Sequence, residues 1–478
     1  MNFKNLNDKK WQILIAVTLG TMMVPINGSI INIALPTITE FFKSSISTSQ
    51  WIIMSYLLTL SSLILFYGRL GDLYSHERLY IVGIIGFIIS SILCGIAFSI
   101  ESLIIFRAIQ GITAGMIISV AIAIVTKVFP AHERGKSLGI HALGIAAGLV
   151  MGPTIGGIIT GTLGWRSIFF VSVPIGTLSL LWCLKTLDIE KSNSVNLNLS
   201  GAFFQFICVF FTIYLLNYIQ KEGLSFISLV LGLIIILSFI LFIKNEHKTE
   251  NPTLNLSLFK NSHFSLGSLS LFFNYICTYM VLFIMPFYLQ RVLHYDPNLI
   301  GIILTTNPLI IMSIAPISGF LSDKIGFRPF TFIGSIICAL SLFSMGELTM
   351  YSSIFDIIWR LAFFGFGVAL FQSPNNSSIM GSAPRDYLGT ASGVLVTMRN
   401  MGMVFGISIS GILLYNSVSP NILQIPELFN LNAYYFTEGV SLIFRGGGIL
   451  SIFMVILSII EADICTSKIK GIITKIKE

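Results

Sequence analysis

Residues 148–157 read Gly148-Leu149-Val150-Met151-Gly152-Pro153-Thr154-Ile155-Gly156-Gly157. The glycines at 148, 152 and 156 stand four apart, so they share one face of a helix. Small residues on a membrane helix let a second helix approach closely, and Pro153 frees a backbone carbonyl and bends the segment. The stretch has a counterpart: Gly148, Gly152 and Gly157 recur as Gly402, Gly406 and Gly411 at an offset of 254 residues, with Ile407 where the proline would fall. Working outward, Pro130, Gly135 and Gly139 recur as Pro384, Gly389 and Gly393 at the same offset. Arg107 recurs as Arg360, 253 residues on, and Gly68 and Asp72 recur as Gly319 and Asp323, 251 residues on. Ordered matches with offsets that drift by so little identify two related halves, a common plan in transporters.

The 478-residue chain is 54% hydrophobic and only 10% charged, with a mean hydropathy of +0.87. Soluble domains carry about 25% charged residues. Soluble, disordered, coiled-coil and disulfide-stapled architectures are thereby excluded, and lipid is the solvent for most of the chain. A membrane helix needs about 20 mostly apolar residues. Fourteen spans are predicted, at 11–34, 50–68, 79–98, 102–126, 136–161, 167–185, 200–219, 225–243, 264–289, 299–320, 329–350, 354–379, 389–415 and 441–462. The first follows Lys4 to Lys10 but is long and lacks a small-residue cleavage site, so it reads as an uncleaved span rather than a signal peptide. The repeat equates spans one to six with nine to fourteen. The expected fold is therefore an all-α integral membrane protein: a six-helix bundle over 1–186, two inserted helices with flanking cytoplasmic loops over 187–263, and a second six-helix bundle with a basic tail over 264–478.

With the amino terminus inside, 20 of the 28 Lys and Arg residues fall in cytoplasmic segments. Four lie outside (Lys43, Arg166, Lys221, Arg291) and four within spans (Arg107, Arg360, Arg399, Arg445). This bias places both termini in the cytoplasm of a multi-pass plasma-membrane protein. It also accounts for the net charge of +7 through anionic membrane lipids, so no nucleic-acid partner is needed. In the tail, Ile469, Ile472, Ile473 and Ile476 share one helical face flanked by lysines, which suits a short helix on the inner leaflet; a disordered tail fits equally well. None of the six cysteines forms a C-x-x-C pair, so neither a metal nor a cofactor is indicated. The outer loop over 416–440 is longer than the other external loops, and the isoleucine- and asparagine-rich usage of the chain suits a bacterial origin.

The motifs are similar to those of the major facilitator superfamily, in particular its fourteen-helix drug:proton antiporter branch. Gly68-Arg69-Leu70-Gly71-Asp72-Leu73-Tyr74-Ser75-His76-Glu77-Arg78 resembles the cytoplasmic gating motif G-x-L-x-D-R-x-G-R-(R/K). Leu73, Ser75, His76 and Glu77 depart from it, and Arg78 comes one residue late. The second copy, from Gly319 through Asp323 and Gly326 to Arg328, keeps closer to the pattern. Leu103, Arg107, Gln110, Gly111 and Gly115 match L-x-x-x-R-x-x-Q-G, and residues 148–157 match the antiporter motif G-x-x-x-G-P-x-x-G-G in full through Gly148, Gly152, Pro153, Gly156 and Gly157. Trp165-Arg166-Ser167-Ile168-Phe169-Phe170 and Arg399-Asn400-Met401-Gly402 are further branch-like stretches. The resemblance implies gating by Gly68, Asp72, Arg78, Gly319, Asp323 and Arg328, a bend at Pro153 used in alternating access, and a part for Arg107 in proton transfer or in the polar core.

One departure limits the mechanism. The branch commonly has an aspartate where Asn27 stands, and an amide cannot titrate. No carboxylate falls near a predicted midplane. The remaining candidates for proton coupling are His141, Asp72 and Glu347 beside Arg107. The polar residues within the spans are neutral or positive: Asn27, Asn32, Arg107, Asn274, Tyr275, Tyr279, Asn307, Gln372, Asn375, Asn376 and Arg399 are the expected substrate-binding set. Such a lining suits neutral, zwitterionic or anionic amphiphiles better than lipophilic cations. The expected function is export of a small amphiphilic compound or drug by a monomer, driven by proton antiport. A lipid or glycolipid translocator or uniporter without proton coupling is the alternative. An enzyme is not expected: Gly135-Lys136-Ser137-Leu138-Gly139 fits G-x-S-x-G in form only, since no strand precedes it, and the same residues lack the first glycine of a P-loop.

Overall fold

A computed structural model describes residues 9–130, 133–188, 199–223, 225–248, 256–384 and 387–477. Among the described residues the elements are helical. They are α1 (Lys9–Phe41), α2 (Ile46–Tyr74), α3 (His76–Gly95), α4 (Ile100–Val128), α5 (Arg134–Leu163), α6 (Ser167–Phe170), α7 (Ser172–Thr186), α8 (Leu199–Glu222) and α9 (Phe226–Lys248). Then follow α10 (Ser262–Arg291), α11 (Pro297–Ile325), α12 (Arg328–Met345), α13 (Ile354–Ser382), α14 (Leu388–Ser417), α15 (Pro420–Leu423) and α16 (Asn430–Lys477). Twelve helices among the described residues are long and apolar enough to cross a membrane. The expected second and seventh spans fall on α2 and α8. The fourteen predicted spans thus coincide with helices.

Local chemistry fixes several boundaries. Ser45 caps α2 by accepting from the Thr48 N–H at 3.1 Å. Ser99 and Ser102 form a reciprocal capping box at the start of α4, and Ser353 with Asp356 forms another at the start of α13. The chain divides into two compact units, one comprising residues 1–253, 289–305 and 423–427, the other 254–288, 306–422 and 428–478. The inserted pair α8 and α9 belongs to the first unit, where α8 packs on α2. Much of α9 is apolar and exposed, including Leu229, Leu233, Ile236 and Phe239, as a lipid-facing helix requires.

The glycine face of α5 explains how the first unit closes. A Cβ at Gly144 would lie 2.2 Å from Thr18 Cγ2, and one at Gly148 would lie 2.7 Å from Met22 Cγ and 3.0 Å from the Met22 carbonyl oxygen. Gly152 faces Ser29, and Gly156 faces the Ile30 backbone at 3.2 Å. Spaced by four, these residues seat α1 along three turns of α5. Gly157 faces α11 instead: a Cβ there would lie 2.5 Å from the Pro297 carbonyl oxygen and 2.8 Å from Gly301 Cα. The second unit uses the repeat-related glycines in the same way, since Gly402 and Gly406 abut the backbones of Phe272 and Ile276 in α10 at 2.5 and 2.4 Å on the same measure.

The atoms crowding Gly157 are backbone atoms and cannot rotate away. Gly157→Ala is expected to destabilise the protein by about 1–3 kcal/mol through overpacking. Gly139, on the same helix, has nothing within 4 Å of the place a methyl group would take, so Gly139→Ala is expected to be neutral or stabilising by up to about 1 kcal/mol. Thermal unfolding of the two purified variants beside the parent measures both; a Gly157→Ala midpoint at or above that of Gly139→Ala would sink the packing argument.

Candidate functional site

In the first unit, polar side chains converge on Arg107. This residue is fully enclosed, with 0% exposure. Its Nε donates to the Ile52 carbonyl at 3.1 Å, and its Nη1 donates to Asn27 Oδ1 and to Gln110 Oε1, each at 2.5 Å. The guanidinium lies over the Tyr56 ring, 4.2 Å from its centroid, a stacked cation–π contact. Outer links continue the network: Asn27 Nδ2 donates to Ser172 Oγ at 3.1 Å, and Gln110 Nε2 donates to Ser91 Oγ at 2.7 Å. Side chains from α1, α2, α3, α4 and α7 are thereby joined. The glutamine three residues after the arginine faces it because i and i+3 share a helix face, which is the physical content of the R-x-x-Q spacing. Asn27 supplies to this network a neutral acceptor that cannot take up a proton at any physiological pH.

Asn32 lies one turn beyond, donating to the Gly28 carbonyl at 3.2 Å. His141 is buried on α5, with Nδ1 3.1 Å from Thr18 Oγ1 and Nε2 without a hydrogen-bond partner. It sits on the α1–α5 seam, apart from the bonded network of Arg107. Glu347 lies in the turn after α12, exposed and paired at 3.0 Å with Arg445, itself half exposed. The repeat-related partner of Arg107 also occupies different surroundings. Arg360 is half-buried, donates to the Ser344 and Asp356 carbonyls at 2.9 and 2.8 Å, and has the Asp356 carboxylate 3.3 Å away.

The second unit holds an amide-rich set. Gln372 Nε2 on α13 donates to Asn274 Oδ1 on α10 at 2.8 Å, and Asn375 Nδ2 donates to the Gly267 carbonyl at 3.1 Å. Arg399 on α14 hydrogen-bonds the Tyr275 hydroxyl and lies near Tyr279. Asn274 Nδ2, Asn307 Nδ2, Asn376 Oδ1 and Arg399 Nε are buried without a hydrogen-bond partner. Buried polar atoms left open in this way mark positions where water or a ligand can bond. The structure ties Asn274 to Gln372 and Arg399 to Tyr275, and Asn375 makes a second α13–α10 contact through the Gly267 carbonyl.

The gating loops also differ from each other. The side chain of Asp72 lies outside the described residues. Arg78 is exposed. In the first loop Ser75, at the motif's glycine position, has φ 127°, a region that glycine tolerates and L-residues rarely adopt. In the second loop Gly326 holds the matching position with φ 96°. Ser75 compensates through its hydroxyl, which accepts from the Arg78 N–H at 3.3 Å and donates to Glu77 Oε2 at 2.6 Å. Glu77, buried, also accepts from Lys127 Nζ at the end of α4 at 3.0 Å. The Ser75–Glu77–Lys127 tie is a feature that motif comparison misses, because it is built from the residues that depart from the motif. In the second loop Asp323 is exposed, and Arg328 lies over the Phe327 ring at 5.8 Å.

Membrane-length helices, a duplicated helix-packing device and a buried polar network are the frame of an integral membrane protein built from two related bundles. Similarity to known proteins identifies which kind. The family model described as Major Facilitator Superfamily matches residues 17–407, and the chain belongs to that family; it is a transporter and not an enzyme. It is similar to the riboflavin transporter RibZ of Clostridioides difficile (strain 630), with 35% identity over 83% of this chain and 87% of that protein. It is also similar to multidrug resistance protein 3 of Bacillus subtilis (strain 168), with 30% identity over 84% of this chain and 78% of that protein. Among solved structures, a bacterial homolog of the human lysosomal transporter Spinster, inward-facing and unoccupied, shares the fold with a TM-score of 0.67 at 15% identity, covering 95% of this chain and 96% of that chain.

The positive φ at Ser75 generates a test. Ser75→Ala and Ser75→Gly remove the same two hydroxyl contacts, so their difference isolates the backbone. A non-glycine residue in this region costs about 1–2 kcal/mol. Ser75→Gly is therefore expected to be more stable than Ser75→Ala by about that amount, read as a higher unfolding midpoint. Equal midpoints would mean that the loop carries no such strain.

Proposed function

We propose that this protein is a plasma-membrane transporter, active as a monomer, that passes neutral or anionic amphiphiles with amide-like polar edges down their concentration gradient, without obligatory proton exchange. The observation that carries the reading is Asn27, the neutral acceptor bonded to Arg107 where a proton-coupled relative would present a titratable acid. A carboxylate can release and rebind a proton as its surroundings change; an amide cannot. Two of the other coupling candidates give little support. His141 lies on the α1–α5 seam and Glu347 is exposed beside Arg445.

The amide set of the second unit supports the substrate class. Asn274 and Gln372 present donors and acceptors side by side, and Arg399 with Tyr275 and Tyr279 adds a cation among aromatic rings. Riboflavin, named for the 35%-identical relative, is a flat neutral compound with a polar edge of alternating acceptors and an N–H donor, the chemistry that such amides recognise. Proton-coupled export of drugs is the second reading. It is favoured by the complete G-x-x-x-G-P-x-x-G-G stretch, by Pro153 within α5 and by relatives named as multidrug resistance proteins. Cytoplasmic placement of both termini rests on the lysine and arginine bias.

Proteoliposomes loaded with a pH-sensitive dye separate the readings. Riboflavin and a panel of neutral, anionic and cationic amphiphiles are added across an imposed proton gradient. Saturable riboflavin or neutral-amphiphile uptake with no accompanying dye response is the expected result, and its rate is expected to be insensitive to the gradient. Substrate-dependent proton flux would overturn the uncoupled reading, and preferred transport of a quaternary ammonium dye would overturn the substrate class.

A further inference from the structure

The three arginines within the spans of the second unit differ in what neutralises them. Arg360 has the carboxylate of Asp356 at 3.3 Å and Arg445 has that of Glu347 at 3.0 Å. Arg399 meets, among the described residues, the Tyr275 hydroxyl and Tyr279, and a tyrosine is uncharged at neutral pH. The glycine seam sets this position. Gly402 abuts the Phe272 carbonyl oxygen and Tyr275 Cβ, and Gly406 abuts the Ile276 carbonyl oxygen and Tyr279 Cβ. Arg399 stands three residues before Gly402 on the same helix face, so the close seat of α14 on α10 brings its guanidinium to both tyrosines. The bond to Tyr275 comes from the terminal end of the guanidinium, because Nε has no hydrogen-bond partner. Arg399 also keeps accessible surface: it is half-buried, as are Tyr275 on α10 and Gln372 and Asn376 on α13. Charged and polar groups that keep surface within a span face a bundle interior or a water-filled cavity rather than lipid. That surface is where a solute can reach the cation.

We propose that Arg399 is the charge-selecting residue of this transporter: it binds a carboxylate or phosphate of the amphiphile, while Tyr275 and Tyr279 flank the adjoining aromatic part. A guanidinium presents five donors in a planar fork that matches either anionic group, and the Tyr275 hydroxyl occupies one of them. Among the described residues no carboxylate of the chain competes for the rest. The amides of Asn274 and Gln372, bonded to each other, can meet a polar edge whether or not the compound is charged. Arg399 alone in this set separates an anion from its neutral counterpart, through hydrogen bonds that charge makes about twice as strong. This role rests on the amphiphile class proposed above but not on uncoupled transport, and it narrows that class to anions over their neutral counterparts.

The test uses the full-length protein in detergent micelles and two pairs of probes, each sharing an aromatic part and differing in charge. Riboflavin phosphate is set against riboflavin, and naphthoate against naphthamide. Dissociation constants are measured by isothermal titration calorimetry at neutral pH, so that proton coupling plays no part. The anionic member of each pair is expected to bind about tenfold tighter. Arg399→Gln is expected to bring the members of each pair within about twofold of each other. Arg445→Gln, which removes the same charge from a half-exposed position, is expected to keep the anion advantage. An advantage in one pair only supports the proposal and identifies phosphate or carboxylate as the group selected. Anions that bind no tighter than their neutral counterparts in both pairs, or an advantage that survives Arg399→Gln, overturn it while the amphiphile class stands. Binding of none of the four probes overturns the amphiphile class itself, and the role of Arg399 falls with it. Should Arg399→Gln fail to fold, Arg399→Met, of similar length and uncharged, takes its place and is read the same way.

Discussion

A buried guanidinium held by neutral acceptors is the constraint on which the first unit turns. Arg107 cannot shed its charge, so every helix around it must bring an oxygen or a ring to a fixed place. α2 supplies the Ile52 carbonyl and the Tyr56 ring, α1 supplies Asn27, and α4 supplies Gln110 from its own next turn. Shifting any of these helices by one residue would strand a buried donor or acceptor, at about 1–3 kcal/mol for each group left unpaired. The network therefore specifies register as well as local stability, as satisfied buried polar networks do.

That register has to be held from the other side of α1 too. Gly144, Gly148, Gly152 and Gly156 of α5 fix how closely α1 lies. Across from them, Tyr80 of α3 donates to the Val17 carbonyl at 2.6 Å and Ser179 of α7 donates to the Ala16 carbonyl at 2.8 Å. In lipid there is little hydrophobic drive between helices, so close packing and hydrogen bonds carry the association. Asn27 is thus delivered to Arg107 by contacts on the amino-terminal half of the same helix. The second unit repeats the glycine device between α14 and α10 but builds a different polar interior on it.

The contrast marks what could be read from the residues alone. Helix positions were legible because lipid demands a length and an apolarity that few other structures need. The repeat was legible because glycines at close approaches tolerate no substitute, which is why Gly148 and Gly152 recur as Gly402 and Gly406. The bond of Arg107 to Gln110 agrees with the motif spacing, since residues three apart share a helix face. The partner on α1 did not, since 80 residues separate Asn27 from Arg107 and no local pattern encodes that meeting. Ser75 and Glu77 looked like losses from a motif. In three dimensions they make a replacement tie to Lys127, and only the backbone angle at Ser75 reveals what the usual glycine is for. Sequence order also suggested that Arg107 and Arg360 are equivalents, whereas their counter-charges and burial differ.

That difference bears on how a duplicated fold acquires distinct halves. Two related bundles begin with the same helix contacts, and those contacts persist where backbone meets backbone at the glycines. Side chains facing the interior are freer to diverge, because exchanging one polar group for another there need not disturb the seam. At Arg360 the divergence set the arginine beside a carboxylate near the start of α13, where its charge is balanced. At Arg107 the bonded acceptor on α1 is the Asn27 amide, and the cation is kept. A buried cation without a titratable partner keeps its charge through changes in pH, so the first unit retains a constant positive centre while the second retains amides. In the uncoupled transport proposed above, polarity of that kind would sort solutes by their charge and hydrogen-bonding edges without any group whose protonation must change during the cycle.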